Sequence, residues 1–166
     1  LVGRIRERIP GVSIGTDIIV GFPGETDIQF QRTYDLLEEL RLDVAHLARY
    51  STRPGTVAER RLGDDVPDEE KWRRFRLLEE QQERIVTGLN SLFLGETVEV
   101  LFEDKTRGRW RGRTPNNRLV FVEAADDLRG QIRPVTITWT GPWSMQGRLP
   151  GQRTAPQPLE FIPLPV

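Results

Sequence analysis

The sequence predicts an α/β segment followed by a small all-β barrel of the OB type. In roughly the first fifty residues, helical repeats and apolar runs alternate as helix, strand, helix, strand, which is typical of parallel βα units. From Gly95 onward the apolar period changes to two, which indicates strands. Several short strands separated by Gly, Pro and Asn turns favour a small barrel.

The α/β segment is predicted from its apolar spacing and from the residues that end or begin each element. Residues 1–9 repeat apolar side chains at helical spacing, and Pro10-Gly11 ends that helix. Residues 12–22 are apolar nearly throughout and are expected to form a strand buried on both faces. Thr26 begins the second helix with a capping box, and residues 43–51 form the second strand.

The second half is divided by one long helix. Pro67 and a run of carboxylates predict a helix start there, because both suit the exposed amides and the dipole. Trp72 is expected on the buried side of this helix. We predict barrel strands at residues 97–103, 109–114, 118–123, 131–140 and 144–149.

These elements define four regions. They are an α/β region (1–66), a connecting helix (67–93), a β-barrel (94–149) and a Pro-rich tail (150–166) that is expected to be disordered.

Composition excludes several kinds of site. The 166-residue chain has a net charge of −1, one histidine and no cysteine, so disulfides and thiolate metal sites are excluded in this chain. No apolar run reaches transmembrane length, and we predict a cytoplasmic protein without a membrane partner. Because the first residue is not Met, we also expect a piece of a longer protein.

Residues 105–118 are strongly basic and contain no acidic residue. Five of the six cations occupy alternate positions, so in one extended strand they would share a face. Arginine binds phosphate bidentately and stacks on bases, which favours nucleic acid, and Asn116-Asn117 adds a polar turn. The alternative is a charged edge strand that resists aggregation. The cations are Lys105, Arg107, Arg109, Arg111, Arg113 and Arg118.

Asp17 is the first candidate ligand-binding residue. A carboxylate in a buried strand needs a partner, and ligands collect near the C-terminal ends of parallel strands. Gly21 and the following Pro23-Gly24-Glu25 predict a tight loop that a ligand could approach, although Asp17 could equally cap a neighbouring loop. His46 is expected to be a packed or hydrogen-bonded core residue rather than a base.

Two tryptophans flank Gly141-Pro142 in the second half. An exposed ring at Trp139 or Trp143 could stack on a base, while packing into the core is the default expectation for both.

Three segments carry a family resemblance. Residues 16–26 (TDIIVGFPGET), 50–56 (YSTRPGT) and 112–118 (GRTPNNR) occur in order and at suitable spacing. Together they resemble the C-terminal half of the radical S-adenosylmethionine methylthiotransferases, most closely the MiaB-type tRNA enzymes. The resemblance implies that the α/β region is the C-terminal part of a partial TIM-like radical-SAM barrel and that the β-barrel is an RNA-binding TRAM domain.

The resemblance also implies an activity and a site. The family, expected to be monomeric, methylthiolates C2 of an isopentenyl-modified adenosine beside the tRNA anticodon, using S-adenosylmethionine and two [4Fe-4S] clusters. Asp17 and Ile19 would touch the cofactor's ribose and adenine, with Tyr50 and Ser51 beside the adenine. The tRNA anticodon stem-loop would contact Lys105, Arg107, Arg109, Arg111, Arg113, Asn117 and Arg118.

The chain departs from the family in one respect. The cysteines that bind the clusters are absent, so the chain is expected to be inactive alone. A threonylcarbamoyladenosine methylthiotransferase, a ribosomal-protein methylthiotransferase and a stand-alone RNA-binding module remain alternatives.

Overall fold

The computed structural model describes residues 1–152, so the predicted disordered tail lies almost entirely outside the described residues. Its four helices are α1 (Val2–Arg8), α2 (Asp27–Leu40), α3 (Val57–Arg61) and α4 (Asp68–Ser91). Its strands are β1 (Gly15–Val20), β2 (Val44–Arg49), β3 (Thr97–Thr106), β4 (Arg109–Arg113), β5 (Leu119–Val122), β6 (Ile132–Thr140) and β7 (Met145–Arg148).

The first part of the chain is a two-stranded parallel sheet with helices on one face. β1 and β2 pair from Gly15 opposite Val44 to Val20 opposite Arg49. Helix α2 begins with the predicted capping box, in which Thr26 and Gln29 bond each other's backbone amides. The inner face of the sheet packs against the apolar sides of α2 and α4, and this burial stabilises the fold. The buried core residues are Val20, Phe30, Leu37, Leu42 and Leu78.

The other face of this sheet is open, so the prediction of a strand buried on both faces is wrong. Asp17 and Ile19 on β1 alternate outward, and His46, directly opposite Asp17, is also exposed. The expectation of a core histidine is therefore wrong as well. The reason is that the described helices cover only one face of the sheet, whereas the apolar sequence suits cover on both.

The second part is a closed five-stranded barrel, which confirms the predicted small β-barrel. Its strand order is β3-β4-β5-β7-β6, and every pairing is antiparallel except that of β5 with β7. Alternate strand residues point inward and form a separate core together with two leucines outside the strands. The strand residues are Val100, Phe102, Trp110, Val120, Val122, Val135, Ile137 and Met145, and the two leucines are Leu128 and Leu149.

Helix α4 connects the two parts and contacts both. Its 24 residues span about 36 Å at 1.5 Å per residue. Trp72 is 43% exposed instead of buried as predicted, and the guanidinium of Arg49 lies over its ring, 3.7 Å from the ring centroid. This cation–π contact occupies one ring face outside the core. Across residues 1–152, no helix has the length and apolar character needed to span a membrane.

Candidate functional site

The basic stretch is split between two strands by a tight turn. Arg107 and Gly108 have φ values of 50° and 82°, which suits a two-residue hairpin turn between β3 and β4. Lys105 pairs with Trp110 and so lies on the same side as that inward residue, with its Nζ 5.6 Å from the ring centroid. The prediction that five cations share one strand face is therefore wrong, because the chain reverses within the run.

Three arginines do share a face. Arg109, Arg111 and Arg113 alternate on β4 with the buried Trp110 and Gly112, so they point out of the barrel. Each has a carboxylate neighbour on an adjoining part of the barrel. The nitrogen-to-oxygen distances are 3.0 Å for Arg109–Glu123, 2.6 Å for Arg111–Asp104 and 3.7 Å for Arg113–Glu103.

These carboxylates offset the positive charge of β4. Repulsion among the arginines is relieved within the barrel, so their alignment alone does not require a polyanion. Each guanidinium has five N–H donors and uses only some of them in these contacts. The remaining donors that are exposed on this outward face can bind phosphate oxygens, whereas Arg111 Nε is buried.

Arg118 lies apart from that face, at the junction with the α/β region. Its Nη2 is 2.6 Å from Asp43 Oδ1, and its Nη1 donates to Asn90 Oδ1 on α4. Burial lowers the pKa of Arg118, and the nearby Asp43 carboxylate opposes this effect. Asn117 is exposed in the preceding turn, where its φ is 62° and its side-chain oxygen accepts a bond from Arg113 at 3.1 Å.

The residues predicted to bind a cofactor lie around the open sheet face and its C-terminal edge. Asp17 and Ile19 are on the open face of β1, and Tyr50 and Ser51 directly follow β2. The Tyr50 amide bonds the Val20 carbonyl at 2.8 Å, which extends the pairing of the two strands by one residue. Asp17 and Ile19 thus lie on β1 with their side chains facing solvent, and Tyr50 and Ser51 lie just beyond the end of the adjacent strand.

The loop after β1 closes on itself beside this edge. Gly21 has a φ of 71° and donates its amide to Glu25 Oε2 at 2.6 Å. A Cβ atom at position 21 would lie 2.3 Å from Lys71 Cγ, so glycine is required both by the conformation and by α4. Phe22 packs edge-on against Tyr50 with 5.1 Å between ring centroids.

Arg74 on α4 holds this loop and was missed in the sequence. Its side chain is 4% exposed and bonds Glu25 at 2.7 Å, Asp27 at 2.8 Å and Glu70 at 2.7 Å. Hydrogen bonding from Arg73 lowers the pKa of Glu70 to about 2, with burial opposing and Arg74 contributing in the same direction. The i,i+4 spacing of Glu70 and Arg74 was the available signal, but only the fold brings Glu25 and Asp27 to them.

No cluster of metal-ligating side chains is found in residues 1–152, and the whole chain contains no cysteine. The chain itself therefore supplies no thiolate ligand for an iron–sulfur cluster.

The barrel defines the class of protein to which this part of the chain is related. The model of the TRAM domain family matches residues 92–150, which contain all five barrel strands. The expected TRAM domain is thereby confirmed.

Curated relatives extend the similarity to most of the chain. The tRNA-2-methylthio-N(6)-dimethylallyladenosine synthase of Chloroflexus aurantiacus is 52% identical over 150 residues, covering 89% of this chain and 32% of the relative. Synthases of the same name from Roseiflexus sp. and Herpetosiphon aurantiacus are 50% and 48% identical, covering 90% and 93% of this chain and 32% and 36% of the relatives. The resemblance to the tRNA methylthiotransferases is confirmed, and the chain spans about a third of the length of these relatives.

One solved structure is similar only at a low level. A multidomain protein with nucleic acid binding domains from Streptococcus pneumoniae aligns with a TM-score of 0.31 and 16% identity, covering 44% of this chain and 26% of that one.

Proposed function

We propose that this chain is part of a tRNA methylthiotransferase and that its barrel binds tRNA through Arg109, Arg111 and Arg113. One observation carries the proposal: these three side chains line the outward face of a strand in a TRAM barrel. The relatives that match nine-tenths of the chain are named for methylthiolation of a tRNA nucleoside. Arginine donors at strand spacing suit successive phosphates of an RNA backbone.

The carboxylates beside the arginines support binding that is ordered and salt-dependent. Glu103, Asp104 and Glu123 hold the guanidinium groups in place, so little side-chain freedom is lost when phosphate binds. Arg107 is exposed in the hairpin turn and extends the positive surface, whereas Lys105 lies on the other side of the hairpin, where its Nζ donates to the Ala124 carbonyl at 3.3 Å. We assign Arg118 to the junction between the barrel and the α/β region, because its charge is already directed at Asp43.

The α/β region is proposed to hold S-adenosylmethionine in the complete enzyme. The carboxylate of Asp17 suits ribose hydroxyls, the apolar Ile19 suits the adenine ring, and Tyr50 and Ser51 lie at the adjoining strand end. The tight loop around Gly21, clamped by Arg74, keeps this edge in one conformation. S-adenosylmethionine with two iron–sulfur clusters supplies the radical, methyl and sulfur chemistry of such enzymes, and this chain adds no cluster ligands.

The substrate proposal follows the names of the relatives. Relatives at 42–52% identity are named for 2-methylthiolation of N6-dimethylallyladenosine in tRNA, which favours this nucleoside over threonylcarbamoyladenosine or a ribosomal protein. The anticodon stem-loop is the proposed RNA partner, a monomer the proposed state and the cytoplasm the proposed location.

RNA binding is tested with the 166-residue chain and a tRNA anticodon stem-loop. Replacing Arg109, Arg111 and Arg113 with Ala removes up to three phosphate contacts and should reduce the slope of log affinity against log salt concentration by about two units. The matched control replaces Arg53, Arg60 and Arg61, three exposed arginines of the α/β region. Equal affinities and salt slopes for the two variants would contradict the assignment of this face.

A further inference from the structure

We propose that Trp143 is a stacking surface for an unpaired RNA base. The site lies at the end of the barrel where the β4–β5 turn and the β6–β7 turn meet. This inference rests on the proposed RNA-binding function and adds a residue and a kind of nucleotide to it.

The strand register brings the two turns to the same end of the barrel. β5 and β7 are parallel, and Val120 pairs with Met145. Arg118 and Trp143 each precede this pair by two residues, so they occupy equivalent positions at the strand starts. Asn90 of α4 links the turns by accepting a bond from Arg118 and donating to the Gly141 carbonyl at 2.6 Å.

The ring of Trp143 is exposed on a turn whose backbone is held in place. It is 51% exposed, whereas Trp110 is inside the barrel. Trp139 fills the space beneath the turn so closely that a Cβ atom at Gly141 would lie 2.4 Å from its ring. The Gly141 amide also bonds the Ser144 carbonyl at 2.9 Å. An exposed ring on a backbone with these supports loses little freedom when a base stacks on it.

The neighbouring β4–β5 turn offers donors suited to a base edge. Asn116 and Asn117 use their side-chain oxygens to accept bonds from Thr114 and Arg113. Within residues 1–152, neither side-chain nitrogen donates to a protein acceptor, so both can donate to ring nitrogens or carbonyls of a base. A free ring face and a free base edge occur together in single-stranded RNA, because the bases of a duplex are stacked and paired.

The experiment compares two RNA probes with one variant and one control. The probes are a hairpin with an unpaired loop and a fully paired duplex of the same length. Trp143→Ala should weaken binding of the hairpin about tenfold and leave the duplex unchanged, because stacking needs an accessible ring face. Trp72→Ala is the matched control, since Trp72 is also exposed but lies on α4, outside the barrel.

Further variants separate the possible outcomes. Trp143→Phe should keep most of the affinity and Trp143→Leu should lose it, which distinguishes an aromatic plane from apolar bulk. Melting curves check that the variants fold.

Unchanged hairpin affinity in Trp143→Ala, while the triple arginine variant binds weakly, would overturn the stacking role alone. Unchanged affinity in both variants would overturn the proposed RNA binding itself. An equal loss of affinity for hairpin and duplex would overturn the preference for an unpaired base.

Discussion

Arg118 of the barrel and Asp43 of the α/β region form an ion pair that joins the two parts of the chain. The Nη2-to-Oδ1 distance is 2.6 Å, and the side chains are only 11% and 12% exposed. The other Asp43 oxygen accepts a hydrogen bond from the Ile14 amide at 2.9 Å, and Arg118 also donates to Asn90 on α4. A single guanidinium therefore links the barrel, the connecting helix and the start of β2.

Asp43→Ala should destabilise the protein by about 3 kcal/mol, because it leaves the buried Arg118 charge without its partner. Arg118→Ala and the double variant complete a cycle that isolates the pair, measured by chemical denaturation. The control cycle uses Arg84 and Glu38, a pair of similar distance whose side chains are 58% and 47% exposed. Its coupling should be much smaller. Equal coupling in the two cycles would contradict the importance of burial.

Arg74→Ala should destabilise the α/β region far more than Arg73→Ala. Arg74 is 4% exposed and bonds three carboxylates, whereas Arg73 is 53% exposed and chiefly pairs with Glu70. Burial lowers the pKa of Arg74, but the hydrogen bonds that it donates to Glu25, Glu70 and Asp27 raise this pKa above its usual value. We expect a loss of about 3 kcal/mol for Arg74→Ala and under about 1 kcal/mol for Arg73→Ala, from thermal or urea unfolding. Similar losses would argue against Arg74 as the residue that holds the loop.

The Glu70 carboxylate should make stability fall as the pH drops from about 4.5 to about 2. Arg73 lowers the pKa of Glu70 in the folded protein to about 2, against an ordinary value of 4.5. A depressed folded pKa adds stability above the unfolded pKa, and this contribution disappears as the pH falls through the folded value. Glu70→Gln should therefore be less stable at pH 7 and lose less on acidification.

Unfolding free energies between pH 7 and pH 2 measure this effect. Glu79→Gln is the control, since Glu79 is an exposed residue of the same helix. Parallel pH curves for the wild type and Glu70→Gln would rule out the assigned contribution.

Gly112→Ala should destabilise the barrel by about 2 kcal/mol through overpacking. A Cβ atom there would lie 2.5 Å from Val100 Cγ1 and 2.6 Å from the Leu101 carbonyl oxygen. Gly3→Ala is the control, because position 3 is in α1 with nothing within 4 Å, and it should be neutral or slightly stabilising. Denaturation midpoints of the two variants give the comparison, and a neutral Gly112→Ala would show that β3 can move away.

Local patterns predicted the elements well because those signals lie close together in the chain. The capping box at Thr26, the Pro67 helix start and the five barrel strands each depend on neighbouring residues. The tight loop predicted after β1 is also present, and Gly21 adopts a positive φ in it.

The positions of charges could not be predicted in the same way. The alternation of cations at residues 105–113 predicted that they share one strand face. The turn at Arg107-Gly108 instead places Lys105 on the side opposite to the arginines of β4. Carboxylates at 103, 104 and 123 neutralise β4 because strand pairing brings them beside it. The apolar sequence of β1 likewise predicted that both faces of this strand are buried, but the described helices cover only one of them.

The sequence by itself determined helices α1, α2 and α4, the strands, the change from α/β to all-β structure near Gly95 and the family resemblance, because each depends on short-range pattern or composition. The short helix α3 was not predicted. Only the tertiary structure decided that Arg118 joins two regions, that Arg74 holds a loop nearly fifty residues earlier in the chain and that Trp143 is exposed. Burial and ion pairing depend on which distant segments meet, and backbone pairing and core packing settle that after the local elements have formed.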